Sequence, residues 1–158
     1  MGPVAEDTTR ALSPCAAPCT VGARPASSYG RTVPTRMKIF FDGGCRPNPG
    51  RIEIAVVFAG RTEILRDVGT GTSADAEWLA LLHAVEIAQA LGRADYVLLG
   101  DSANIVTQAN GLIPCRGDAV RHLQAFRALT ADTGPPRIRR VKRTQNLAGI
   151  ALAALKSR

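Results

Sequence analysis

From residue 37 onward the apolar positions of this 158-residue chain fall into short continuous runs and longer stretches with near-helical recurrence. Lys38-Ile39-Phe40-Phe41-Asp42 is an apolar run closed by one carboxylate and followed at once by Gly43 and Gly44, which reads as a buried strand feeding a turn. Residues 52–59 are β-branched and apolar, Gly60-Arg61 supplies a tight turn, and 62–68 reads as the returning strand of a hairpin. The stretch Gly69-Thr70-Gly71-Thr72-Ser73 interrupts the sheet and offers helix N-caps. Between 74 and 91, Trp78, Leu82, Val85 and Leu91 recur at near-helical spacing, and Gly92 stops the helix. Residues 96–99 form a short buried strand ending in Gly100-Asp101-Ser102, and 103–109 a short helix closed by Asn110-Gly111. A loop at 112–117 leads into an amphipathic helix at 118–131, with Val120, Leu123, Phe126 and Leu129 inward. Pro135-Pro136 resets the chain before a basic strand at 137–143 and an apolar terminal helix at 146–155. The order β-β-β-α-β-α-α-β-α, with its leading hairpin, predicts an α/β fold: a mixed sheet with helices on its faces.

Residues 1–36 have a different texture. They are rich in Pro, Ala, Ser, Thr and Gly without a sustained apolar period, and read as a disordered or non-native extension preceding one folded domain at 37–158. They contain no apolar core of the kind a secretory signal has. Nowhere does an apolar run approach the ~18 residues needed to span a bilayer. The chain carries 20 Lys+Arg against 13 Asp+Glu, a net charge of +7, which suits nucleic acid before membrane as a partner. Cys15, Cys19, Cys45 and Cys115 form no Cys-x-x-Cys pair, so a zinc site is not expected, and a reduced, cytoplasmic protein is the simplest reading.

Three acids fall at element ends: Asp42 after the first strand, Glu77 near the start of the long helix, and Asp101 after the fourth strand. In an open α/β sheet, the carboxyl ends of central strands converge on one crevice. Each acid taken singly has a structural explanation: Glu77 complements a helix dipole, and Asp101 can cap the following helix. Three carboxylates meeting at one point need cations, and hard oxygen ligands select Mg²⁺ or Mn²⁺. Two such ions ~4 Å apart stabilise both the attacking and the leaving oxygen of a phosphodiester displacement.

At these residues the chain resembles the ribonuclease H type I family, in its bacterial reverse-transcriptase-like branch. Asp42-Gly43-Gly44 with Asn48-Pro49-Gly50 is similar to the family's opening strand and loop, Ala76-Glu77 with Ala80 and Leu81 to its helix start, and Asp101-Ser102 to its strand-end pair. Gln108-Ala109-Asn110-Gly111 and Arg143-Thr144-Gln145-Asn146, leading into Leu152-Ala153, complete the set over residues 37–156. The resemblance implies an RNase H-like fold with a five-stranded sheet of order 3-2-1-4-5. It also implies a monomeric enzyme that cuts the RNA strand of RNA/DNA hybrids, leaving 5′-phosphate and 3′-hydroxyl ends. Asp42, Glu77 and Asp101 would be the catalytic and metal-binding acids. Gly43, Gly44, Arg46, Asn48, Ser102, Arg143 and Asn146 would contact substrate, with Arg46, Arg51 and Arg143 near phosphates and the loop reading 2′-hydroxyls in the minor groove.

The chain departs from the family pattern at its last helix. The fourth acid expected four residues after Asn146 is Ile150, and Arg143-Thr144-Gln145 replaces a glycine- and histidine-bearing loop. Ser73-Ala74 replaces an Asn pair, and the separate basic protrusion helix is missing. His83 and His122 read as surface or core residues rather than catalysts. Two functional classes follow, a nuclease with reduced turnover and a hybrid- or RNA-binding protein without efficient cleavage. A phosphotransferase using the Asp42-Gly43-Gly44 loop is a third and lesser reading, which the lack of a second phosphate loop disfavours.

Overall fold

The computed structural model describes residues 35–156; the expectations for residues 1–34, including Cys15 and Cys19, lie outside them. The strands are β1 (Met37–Cys45), β2 (Gly50–Phe58), β3 (Arg61–Leu65), a two-residue β4 (Thr70–Gly71), β5 (Tyr96–Gly100) and β6 (Arg137–Arg140). The helices are α1 (Ser73–Ala90), α2 (Ala103–Ala109), α3 (Ala119–Leu129) and α4 (Leu147–Lys156), with one 3-10 turn at Arg143–Gln145 before α4. The main sheet runs β3-β2-β1-β5-β6, with β4 attached only to the start of β2. Its first three strands are antiparallel, and β1, β5 and β6 are parallel. This is the expected RNase H-like order, with β4 as an addition that the sequence pattern did not indicate.

Alternation along the strands divides the core. On one face Ile39, Phe41, Ile54, Val56, Leu98 and Ile138 pack with the apolar sides of α1 and α2 and with Phe126 of α3. On the other, Ala55 and Val57 pack with Ala148 and Leu152 of α4, joined by Phe40 and Ile64. Trp78 is fully buried in the first cluster and stacks on His122, with ring centroids 6.1 Å apart. That histidine also meets Asp75 at 2.9 Å. Asp75 in turn closes a capping box with Thr72, accepting from Thr72 N–H at 2.8 Å while its own N–H donates to Thr72 Oγ1. These hydrogen bonds hold the Asp75 carboxyl down at about 2, with the Thr72 backbone contributing most. The start of α1 is thereby fixed both from within and from α3.

Several boundaries differ from the sequence reading, each for a tertiary reason. β1 continues past Asp42 to Cys45, because β2 pairs with it as far as Cys45↔Ile52. The parallel partner β5 reaches only Leu99↔Phe40, so Asp42 is mid-strand on one side and at an open sheet end on the other. β3 stops at Leu65, and the expected return strand gives way to Asp67 with φ 54°. Thr70–Gly71 then pairs with Gly50 and Arg51 instead of only interrupting the sheet. β6 ends at Arg140 because its partner β5 ends opposite it at Gly100.

The hairpin turn is Ala59-Gly60, not Gly60-Arg61: Phe58 pairs with Arg61, and φ is 46° at Ala59 and 76° at Gly60. Two left-handed residues in a two-residue loop make a type I′ turn, which favours Asn at the first position. Ala59→Asn is expected to stabilise the protein by about 0.5–1 kcal/mol, because Asn tolerates the left-handed region that Ala resists. A urea titration checks this as a higher midpoint with an unchanged slope.

Candidate active site

Glycine at position 43 sets the distance between β1 and α1. A Cβ there would lie 2.1 Å from the Ala76 carbonyl oxygen and 2.6 Å from Glu77 N, so any side chain would force the helix off the strand. With this contact closed, Glu77 arrives beside the strand end, and the Gly43 N–H donates to it. Asp42 sits on the opposite side of the pleat from Gly43 and Phe41, the side covered by α4. Asp101 follows the last residue of β5. The three acids thus approach from different elements and meet where β1 outruns β5, each placing a carboxylate oxygen within 4.8 Å of the others.

Charge packed this closely is unfavourable by itself. Two unit charges 4.8 Å apart repel by about 3.5 kcal/mol at an effective dielectric of 20. Burial, then Asp42, then Asp101 push the Glu77 carboxyl up to about 9, against smaller opposing effects of Arg143 and the Gly43 N–H. Asp42 is 5% exposed, and Glu77 Oε2 is buried without a hydrogen-bond partner. Three carboxylates this close, one of them with a buried oxygen that takes no hydrogen bond, fit a site for a hard divalent cation.

Asn146 organises the same point from the far end of the chain. It is fully buried, and its Nδ2 donates to the Phe41 carbonyl at 3.0 Å and to Asp101 Oδ1 at 2.9 Å. Phe41 lies just beyond the last β1–β5 pair, so this amide bridges strands where their ladder ends. Arg143 Nη1 stands 3.3 Å from Asp101 Oδ2, and Arg140 Nε donates to the Asp101 carbonyl at 3.3 Å.

A recess of about 220 Å³ opens beside the acids, lined among others by Gly44, Arg46, Ser73 and Arg143. Most residues proposed from sequence therefore gather here: Asp42, Gly43, Gly44, Arg46, Glu77, Asp101, Arg143 and Asn146. Asn48 has a structural task, accepting the Ser73 N–H at 3.2 Å and a Cys45 thiol contact at 3.5 Å, which ties the β1–β2 loop to the start of α1. The cap of α2 is Ser102 rather than Asp101, with no side-chain capping bond. At α4 the residue facing Asp42 is Gly149, where a Cβ would lie 3.2 Å from Asp42 Oδ2. Ile150 is 49% exposed. The apolar pattern of α4 does not mark this glycine, because the phase of the helix depends on the 3-10 turn before it.

Comparison with known proteins agrees with this fold. The reverse transcriptase-like family model matches residues 40–155. The chain belongs to that family, whose RNase H domains share this fold. The RNase H1 of the halophilic archaeon Halobacterium salinarum NRC-1 is 29% identical over 78% of this chain and 99% of its own, with a TM-score of 0.69. LC11-RNase H1 in complex with RNA/DNA hybrid is 25% identical over 74% and 93%, with a TM-score of 0.65. The N-terminal RNase H domain of rv2228c from Mycobacterium tuberculosis, solved as a fusion with maltose binding protein, is 26% identical over 77% and 98%, with a TM-score of 0.62. No curated protein matches the chain.

The raised Glu77 pKa has a direct consequence for stability. Between its ordinary value of 4.5 and about 9, the unfolded chain releases a proton that the folded protein keeps, so this group's contribution to stability falls as pH rises through that window. With divalent ions chelated, Glu77→Gln is expected to flatten the decline in melting temperature between pH 5 and pH 8. Magnesium is expected to raise the wild-type melting temperature more at pH 8 than at pH 6, since the ion must displace that proton. Equal pH slopes for variant and wild type would remove Glu77 from this role.

Proposed function

We infer that the protein is a divalent-metal-dependent endonuclease that hydrolyses the RNA strand of RNA/DNA hybrids. The observation that carries this reading is the carboxylate cluster of Asp42, Glu77 and Asp101 at the sheet end, with an unpartnered buried oxygen on Glu77. A pure binding protein gains nothing from concentrating buried negative charge where a polyanion must approach. Family membership and the likeness to RNase H1 structures, one of them holding an RNA/DNA hybrid, support the choice of substrate.

Asp42, Glu77 and Asp101 would hold Mg²⁺ or Mn²⁺, two ions in this reading; when bound, they supply a water activated for attack and charge stabilisation at the leaving oxygen. The chain's own residues prepare that site. Asn146 fixes the Asp101 carboxylate and the end of β1 in one orientation. Arg143, with its side chain 80% exposed, has the freedom to leave Asp101 for a substrate phosphate. Gly43 is taken up by the contact with α1, whereas Gly44 lines the recess and leaves room for a sugar–phosphate backbone beside β1, and Arg46 at the rim offers a further cation for phosphate.

A second reading, hybrid binding without efficient cleavage, is favoured by one observation: α4 faces Asp42 with Gly149 and carries no carboxylate along its length. The two readings separate in a cleavage assay with the full chain, a labelled RNA/DNA hybrid, and Mg²⁺ or Mn²⁺. Cleavage abolished by Asp42→Asn is the expected result; retained hybrid binding without any cleavage would select the second reading.

Ile150 occupies the first turn of α4, where a new carboxylate is favoured by the helix dipole. Ile150→Asp is therefore expected to leave the melting temperature unchanged and to raise the cleavage rate, by up to ~10²-fold if a positioning group is what the site lacks. Unchanged turnover would show that this helix position is not the source of any deficit.

A further inference from the structure

The two faces of the sheet are unequally covered. α1, α2 and α3 lie on one face, while α4 alone lies on the other and packs on β1, β2 and β3. Among the described residues, no helix packs comparably over β5 and β6 on the α4 side. Strand register shows what that half-face displays. Lys38, Val97 and Arg137 stand in one row across β1, β5 and β6, and Phe40, Leu99 and Arg139 in the next. Ile138 between the two arginines is buried in the opposite core, so pleating turns Arg137 and Arg139 toward the side without a helix.

Val97 and Leu99 are only 7% and 8% exposed, so what this half-face shows to solvent in these two rows includes the cationic side chains rather than the apolar stripe. Lys38, Arg137 and Arg139 are all exposed, and none takes part in an ion pair among the described residues. Beyond β6 the chain runs through Lys142 to Arg143, in the 3-10 turn beside Asp101. At ~3.3 Å per residue, Arg137 is at most about 20 Å along the chain from Arg143, a reach of roughly six base-pair steps of duplex.

We propose that this helix-free half-face, built on Lys38, Arg137 and Arg139, is a nucleic-acid backbone platform that grips the phosphates of substrate extending beyond the acid cluster. The proposal rests on the hybrid-nuclease reading above and adds a second contact area to it. It also accounts for the pattern of charge better than edge protection does. A charged edge strand discourages sheet-to-sheet pairing, but either sign of charge serves that purpose, whereas phosphates require cations.

Charge reversal separates the two explanations. Full-length wild type and an Arg137→Glu/Arg139→Glu variant would be titrated with fluorescent RNA/DNA hybrids of about 6 and about 18 base pairs, in EDTA and over a range of salt. Arg61→Glu/Arg127→Glu, with the same change in net charge at exposed positions on β3 and on α3, which covers the opposite face of the sheet, serves as control. The platform variant is expected to lose about tenfold or more in affinity for the long hybrid at low salt, and about 2 from the slope of log K against log salt. Affinity for the short hybrid should change much less, and Arg137→Lys/Arg139→Lys should retain long-hybrid binding. An equal loss in the control variant, or wild-type affinity and slope in the platform variant, would overturn the platform while leaving the nuclease reading intact. Failure of wild type to bind either hybrid would overturn the reading on which it rests.

Discussion

The structure depends on the absence of a side chain between β1 and α1. At Gly43 the strand and the first turns of the helix are in backbone contact, closer than any Cβ permits. This contact brings Glu77 into a cluster with Asp42 and Asp101 that it would otherwise avoid, since both burial and like charge act against its ionised form. Much of the surrounding chain resists the separation that repulsion would favour. The Thr72–Asp75 capping box and the Asp75–His122 contact fix the helix start, Asn48 ties the β1–β2 loop to it, and the Trp78–His122 stack braces it from α3.

Asn146 performs the complementary task on the strand side. Where β1 and β5 part, carbonyl oxygens lose their ladder partners, and an unsatisfied buried carbonyl costs about 1–3 kcal/mol. One amide satisfies the Phe41 carbonyl and orients Asp101. Backbone satisfaction and site orientation are thus one interaction, and loss of the Asn146 side chain would disturb both. A cation at the cluster would relieve the stored repulsion, which couples ligand binding to stability and to proton release.

Much of this is legible in the sequence alone. Asp42 was conspicuous because a carboxylate closing an apolar run is costly unless it has a purpose, and Asp101 repeated that pattern at a second strand end. Asn48 also accepts from the Ser73 N–H, a hydrogen bond between residues 25 positions apart that leaves no periodic trace in the sequence. The turn lies one residue earlier than the glycine suggests, since glycine marks a left-handed position but does not show that its alanine neighbour shares it.

The sequence by itself determined the order of the elements other than β4, the sheet order inferred from family resemblance, and which three acids stand at element ends. These follow from local periodicity and from the chemistry of residues at strand ends, both written in neighbouring positions. The tertiary structure alone decided that β1 runs beyond β5, so that Asp42 is half in a ladder and half at an opening. It decided which residue of α4 faces that carboxylate, and which half of a sheet face is left to Lys38, Arg137 and Arg139. Each of these depends on where a distant element stops or how a helix is phased against it, and such lengths and phases are set by packing between segments that share no local pattern.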